Sequence, residues 1–264
     1  MVDYLNLILS IHIPKVNTWL QIILQYFCSP QIDYLIMAYQ FKEGEVLLID
    51  KDLTWSSFQV VNKVRWLIRQ KLDVKKIKVG HAGTLDPLAT GLLILCTGKM
   101  TKSISTFQDA EKEYTGTIKL GACTPSYDAE TEENEHFEYS AITPELIQKA
   151  TTQFLGEIDQ RPPVFSAIKQ DGERLYEKAR RGEEVVVKTR KTTIFEFEIT
   201  DIDLPNVNFR VRCSKGTYIR SLAHDFGRAL DNGGYLTALR RTKIGKYSVD
   251  NAISVQAFEE ALKN

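Results

Sequence analysis

From residue 44 onward the chain consists of short apolar runs separated by polar turns, and the spacing inside each run assigns its element. Glu45 to Lys51 reads as a short buried strand. Thr54 or Ser56 then offers a cap for a helix over 57–71. That helix carries Val60, Val61, Val64, Leu67 and Ile68 at helical spacing, with Arg65 and Arg69 on another face. Leu88 to Leu95 is apolar enough to be buried, and 101–107 reads as helical. Glu113 to Gly121 alternates as a strand, and Thr143-Pro144-Glu145 starts a helix that runs to about Phe154. A basic helical segment over 176–181 closes at Gly182. Strands follow over 184–188, 192–201 and 208–214, then a helix over 221–230. Strands and helices do not alternate regularly, so the fold class is α+β rather than a βαβ array.

Residues 1–40 break this pattern. They hold only three charged residues (Asp3, Lys15 and Asp33) and are rich in Ile, Leu and Tyr. Asp3 argues against a secretory signal. His12, Pro14, Lys15 and Asn17 interrupt any clean apolar span of the roughly 20 residues a membrane helix needs. Met37 stands just before the first well-patterned segment, so the native start is expected there. The chain then divides into a non-native or poorly ordered extension over 1–40 and a catalytic domain over 41–264.

Composition narrows the chemistry. At 264 residues, 43% apolar and 26% charged, the chain suits one large globular domain or two small ones. Four cysteines and four histidines are scattered, with neither zinc nor disulfide spacing, which points to free thiols in a cytoplasmic setting. Six acids over 128–138 match no EF-hand loop and read as a solvated loop.

The formal net charge is zero, yet the charge is segregated. Residues 161–191 hold nine Lys or Arg against five acids, read as ordinary surface. Residues 210–246 hold nine against two, interleaved with Tyr218, Tyr235 and Tyr247. Basic groups neutralise phosphates and aromatic faces stack on unpaired bases, so the second window is the expected nucleic-acid surface.

The segment that organises the chain is Gly80-His81-Ala82-Gly83-Thr84-Leu85-Asp86-Pro87-Leu88-Ala89-Thr90-Gly91. Three glycines and a proline stiffen and shape it around one carboxylate. Two readings stand side by side: Asp86 caps its own turn, or it is a chemical centre at the edge of a core. A second turn, Lys215-Gly216-Thr217-Tyr218-Ile219-Arg220, can bring Tyr218 and Arg220 to the same edge, where an arginine would keep the carboxylate ionised.

These residues resemble the TruB family of bacterial tRNA pseudouridine synthases over about 44–255. The Gly80–Gly91 segment is the most specific match. Lys112-Glu113-Tyr114, Thr124 to Ala129, Pro163 to Lys169, Lys215 to Arg220 and Leu239-Arg240-Arg241 support it. The resemblance implies a mixed, mainly antiparallel central sheet with flanking helices. Many members of that family carry a further C-terminal RNA-binding domain; here the stretch after Val255-Gln256-Ala257-Phe258 is too short for a full one, so no separate C-terminal RNA-binding domain is expected. The resemblance also implies conversion of uridine to pseudouridine at position 55 in the TΨC loop of tRNA, without metal or cofactor. The protein would act as a cytoplasmic monomer with no obligate protein partner.

Carried over, Asp86 is the catalytic carboxylate. Tyr114 stacks on the flipped uracil and serves in proton transfer from C5, and Arg220 pairs with Asp86. Tyr218 and Leu239 wall the base pocket, while His81 contacts RNA. Lys51 matches a substrate-binding lysine, with Asp52 standing where the family usually has proline. Two rival functions are a non-catalytic RNA binder and a nucleoside hydrolase or glycosidase. The second would need another carboxylate, and no other acid stands in a setting like that of Asp86.

Overall fold

The computed structural model describes residues 39–263 apart from 167, 171 and 184. The expected start at Met37 and nearly all of the extension lie outside the described residues. Ten strands form one sheet: β1 (Val46–Lys51), β2 (Val79–His81), β3 (Ala89–Thr97), β4 (Lys112–Leu120), β5 (Gly156–Gln160), β6 (Arg190–Asp203), β7 (Asn206–Cys213), β8 (Gly234–Ile244), β9 (Tyr247–Ser248) and β10 (Ile253–Ser254). The spatial order is β10-β1-β3-β8-β4-β7-β6-β5, with β2 on β3 and β9 on β8. Only the β1/β10 and β3/β8 pairs are parallel. The α+β class and the mainly antiparallel sheet are as expected.

Among the described residues six helices accompany the sheet: α1 (Ser57–Leu72), α2 (Ile104–Asp109), α3 (Pro144–Thr151), α4 (Leu175–Arg180), α5 (Ile219–Ala229) and α6 (Val255–Lys263). Ser56 caps α1 in a reciprocal box with Gln59. The predicted stripe is the buried one: Val60, Val64 and Ile68 are fully enclosed with Leu47, Ile49 and Phe258. Each such side chain contributes about 1.5–3 kcal/mol. A second core packs α3 and α5 on β4, β6 and β7 through Ile118, Ile147, Phe197, Phe209 and Phe226.

Two elements depart from the sequence pattern. The strand expected over 184–188 does not form: residues 185–189 are irregular and Val186 is 80% exposed, so the valine run is not folded onto a core. Conversely β8, which the pattern did not announce, runs through the middle of the sheet between β3 and β4. Its Thr237, Arg240, Arg241, Thr242 and Lys243 dilute the apolar signal, and register shifts on its β4 side break strict alternation.

Candidate active site

Asp86 lies in the turn between β2 and β3. The turn is closed by backbone alone, Ala89 N–H donating to the Asp86 carbonyl at 3.0 Å, so the carboxylate is not its cap. Both flanks of the turn are anchored. Ser57 Oγ accepts from Leu85 N at 2.8 Å and donates to Leu85 O at 3.0 Å, while Thr54 N donates to Pro87 O at 2.8 Å. The fully buried Arg241 of β8 donates to Leu92 O (2.8 Å), Gly83 O (3.1 Å) and Thr84 O (3.4 Å). Gly91 has φ +102°, and a Cβ there would stand 2.3 Å from the Arg241 carbonyl. Only glycine lets β3 approach β8 so closely beside the turn.

Arg220, in the first turn of α5, meets the carboxylate. Its Nε is 2.9 Å from Asp86 Oδ2 and 3.5 Å from Asp128 Oδ2. Neither oxygen is aligned with the Nε–H bond, so these contacts are ion pairs rather than hydrogen bonds. Nη1 donates to Phe165 O at 2.9 Å and to Ser126 O at 3.2 Å. The Arg220 side chain is 6% exposed and that of Asp128 8%, whereas Asp86 is 41% exposed. A buried cation therefore holds one carboxylate open to solvent and another from behind. Burial pushes the Asp128 carboxyl up, and Arg220 opposes that rise.

The open side of Asp86 faces a cleft of about 660 Å³, whose walls include Tyr114, Tyr218, Arg220, Leu239 and Arg241. Tyr114 of β4 is buried, and desolvation pushes its phenol up, so it stays protonated at neutral pH. Tyr218 is fixed through its backbone: the fully buried Gln160 side chain accepts from Tyr218 N at 2.8 Å and donates to Tyr218 O at 3.0 Å. The Arg190 guanidinium lies 4.6 Å from the Tyr218 ring centroid. Leu239 stands opposite Gly116 on one side and Ala89 on the other.

Five of the seven expected site residues thus meet at one cleft: Asp86, Tyr114, Tyr218, Arg220 and Leu239. The other two do not line it. Lys51 is fully buried, and its Nζ donates to Trp55 O (2.7 Å) and Asp52 O (2.9 Å), with Pro87 O at 3.5 Å. Burial pulls its ammonium down to about 8, opposed by the carboxylates of Asp86 and Asp52. It braces the turn from inside. His81 is half-buried in β2, its imidazole pushed down by burial.

Sequence reasoning missed Asp128, Arg241 and Gln160. Asp128 was hidden among the six acids of the 128–138 loop, five of which lie outside the core. Asp128 is a second acid on the same guanidinium, but it is buried where Asp86 is open, and it lines a small side cavity with Asp86 and Leu239 rather than the cleft. Arg241 carried a usable signal, since on a strand it shares a face with Leu239.

The arrangement offers an exposed carboxylate on a braced turn, a neutral phenol, an aromatic ring and a leucine, suited to holding a planar base. Comparison with known proteins gives it a family. A profile described as the TruB family pseudouridylate synthase N-terminal domain matches residues 69–219. One described as the tRNA pseudouridylate synthase B C-terminal domain matches 220–264. The chain belongs to the TruB family of pseudouridylate synthases. It is accordingly an enzyme of the isomerase class.

Among its relatives, the tRNA pseudouridine synthase B of Flavobacterium johnsoniae is 62% identical over 225 residues, 85% of this chain and 98% of that protein. The protein of the same name from Phocaeicola vulgatus is 54% identical over 222 residues, 84% and 94% of the two chains. Solved structures share the TruB-type fold. A chain of a Cbf5-Nop10-Gar1 complex superposes with TM-score 0.60 at 28% identity, over 84% of this chain and 60% of its own. A chain of an H/ACA RNP bound to a substrate RNA containing 2'-deoxyuridine gives 0.58 at 27%, over 82% and 52%. This chain therefore spans little more than half of those neighbours. The boundary between the two matched stretches falls inside α5, and β8 of the second stretch pairs with β3 and β4 of the first. In this TruB-family chain the two stretches share one sheet.

Proposed function

We propose that this enzyme converts uridine to pseudouridine at position 55 in the TΨC loop of tRNA, with Asp86 as its catalytic carboxylate. The observation that carries the reading is the asymmetry around Arg220: the only carboxylate of its ion pairs that opens to the cleft is that of Asp86. The reaction breaks the C1′–N1 bond, turns the uracil and joins C1′ to C5, with no net redox change. A base inside a folded loop must first be flipped out of its stack. Tyr218 and Leu239 give the flipped ring two apolar faces. Once C5 is bonded to C1′ its proton must leave and N1 must gain one, and the Tyr114 phenol can relay that transfer by taking the C5 proton as it passes its own hydroxyl proton on. Asp86 acts on C1′ or C6 of the nucleotide, or takes the C2′ proton. The braced turn keeps the carboxylate in place while the glycosidic bond is open, and a filled pocket excludes the water that would release free uracil.

Asp128 does not favour the hydrolase alternative. A second catalytic carboxylate must reach the sugar or its attacking water. Asp128 is buried, its Oδ1 accepts from Glu130 N at 3.0 Å, and the cavity it shares with Asp86 and Leu239 is about 20 Å³, too small to seat a sugar. The test is incubation with unmodified tRNA transcript, followed by chemical mapping of pseudouridine. Asp86→Asn should abolish product while retaining most tRNA affinity. Full activity in that variant would overturn the mechanism, product at another uridine would overturn the position, and free uracil as main product would favour the hydrolase.

A further inference from the structure

The basic window over 210–246 is largely neutralised in the folded protein. Arg210 pairs with Glu196 and Glu198, Arg212 with Glu111 and Glu196, and Lys215 with Asp109. Arg228 pairs with Glu135, Arg240 with Asp50 and Lys243 with Glu113. Unpaired positive charge gathers elsewhere. Lys71 at the end of α1, Lys75, Lys76 and Lys78 on the run into β2, and Lys102 in the turn before α2 are all exposed. None makes an ion pair or side-chain hydrogen bond with any described residue. Asp73 is the only acid within 71–78.

The lysines form a ridge rather than a scatter. Gly98 N donates to Lys78 O at 2.9 Å, which brings the turn carrying Lys102 beside the run carrying Lys75, Lys76 and Lys78. The ridge also lies within a short reach of the active-site cleft. Lys78 precedes cleft-lining Gly83 by five residues, a reach of at most about 17 Å at extended-chain spacing. On the other flank α2 runs from Ile104 to Gln108 and Asp109, which also line the cleft.

We propose that this lysine ridge is an RNA-backbone site: it takes the phosphates of the helical arm that carries the target loop, outside the pocket for the reacting nucleotide. The inference rests on the reading that the substrate is a structured RNA. Chemical fit decides the partner. Lysines free of protein carboxylates release counterions from phosphates without first breaking an ion pair, whereas those of the 210–246 window must exchange one partner for another. Flexible lysines without bidentate geometry suit a charge-spaced backbone rather than base edges.

The experiment compares wild type with the triple variant Lys71→Gln, Lys75→Gln, Lys76→Gln, which leaves the Lys78–Gly98 backbone contact untouched. Binding of unmodified tRNA transcript is measured between about 50 and 200 mM salt, alongside the rate of pseudouridine formation at saturating RNA. The slope of log affinity against log salt should become shallower by about 2–3, at about 0.7–0.9 per phosphate lost. Affinity should fall about tenfold at the lower salt, with the saturating rate unchanged. Charge reversal, Lys75→Glu with Lys76→Glu, should weaken binding further. An unchanged slope and affinity in both variants, with unfolding midpoints equal to wild type, overturns the ridge and leaves the catalytic reading standing. If wild type forms no pseudouridine in any transcript, the catalytic reading fails, and the salt slopes still decide the ridge on their own.

Discussion

At the scale of single residues, the site is governed by one buried guanidinium serving two carboxylates and two carbonyls. Arg220→Met would strand Asp128 and the carbonyls of Ser126 and Phe165 in the interior, and would release Asp86. Breaking a buried pair this way costs about 3–5 kcal/mol, so the variant should unfold at markedly lower denaturant and form no pseudouridine. Full activity with an unchanged midpoint would refute the arrangement. Asp225, on α5 beyond Arg220, provides a pH test. Burial pushes its carboxyl up to about 6 from an ordinary 3.8, with Arg161 opposing. Between those values the folded state keeps a proton that the unfolded state has lost, so the wild type loses stability as pH rises through the window. Asp225→Asn removes this penalty. Relative to wild type it should gain on the order of 1–2 kcal/mol at pH 7 and nothing near pH 4, in denaturant titrations at both pH values. An equal gain at both would show that ionisation of Asp225 is not the cause.

At the scale of elements, the turn carrying Asp86 is anchored to the strand and helix that flank it. The β3–β8 pairing depends on Gly91, where any side chain would meet the Arg241 carbonyl while adopting a positive φ. Gly91→Ala should therefore displace Arg241, loosen the carbonyls of Gly83 and Thr84, and cost both stability and turnover. A Ser56→Ala change is the contrasting control. It removes the α1 cap at about 1 kcal/mol; Ser56 itself lines no part of the cleft and the Ser57–Leu85 contacts remain, so thermal stability should drop while turnover falls far less than in Gly91→Ala. If Gly91→Ala proved as mild as Ser56→Ala, the close approach would not be what holds the turn.

At the scale of the whole molecule, chain order and spatial order diverge, and this bears on where the protein can be divided. The last long strand, β8, lies between β3 and β4 and carries Leu239 and Arg241 to the site. A fragment ending at residue 219, where the first family match stops, would expose both flanking edges and lack the Arg241 brace. It should fail to give dispersed amide resonances and should be digested rapidly by protease. A folded fragment would show instead that the first stretch is an autonomous domain.

Local sequence marked part of the site, and the family resemblance supplied Tyr114 and Leu239. A glycine- and proline-shaped turn around one acid marks Asp86, and the helical stripe of α1 and the alternation of β4 are legible because burial there follows a single period. The strand–glycine–helix order of 213–222 likewise placed Arg220 at the start of α5. Other features came only from the tertiary structure. That Asp128 rather than its acidic neighbours turns inward, that Lys51 braces the turn instead of facing the cleft, and that most arginines of 210–246 are paired with acids depends on partners up to 190 residues away, such as Asp50 for Arg240. Local sequence fixes which backbone conformations a segment favours and which face it buries. Which charges end up free to meet an RNA is decided by the acids that the fold brings beside them, because an ion pair depends on distance in space and not on spacing along the chain.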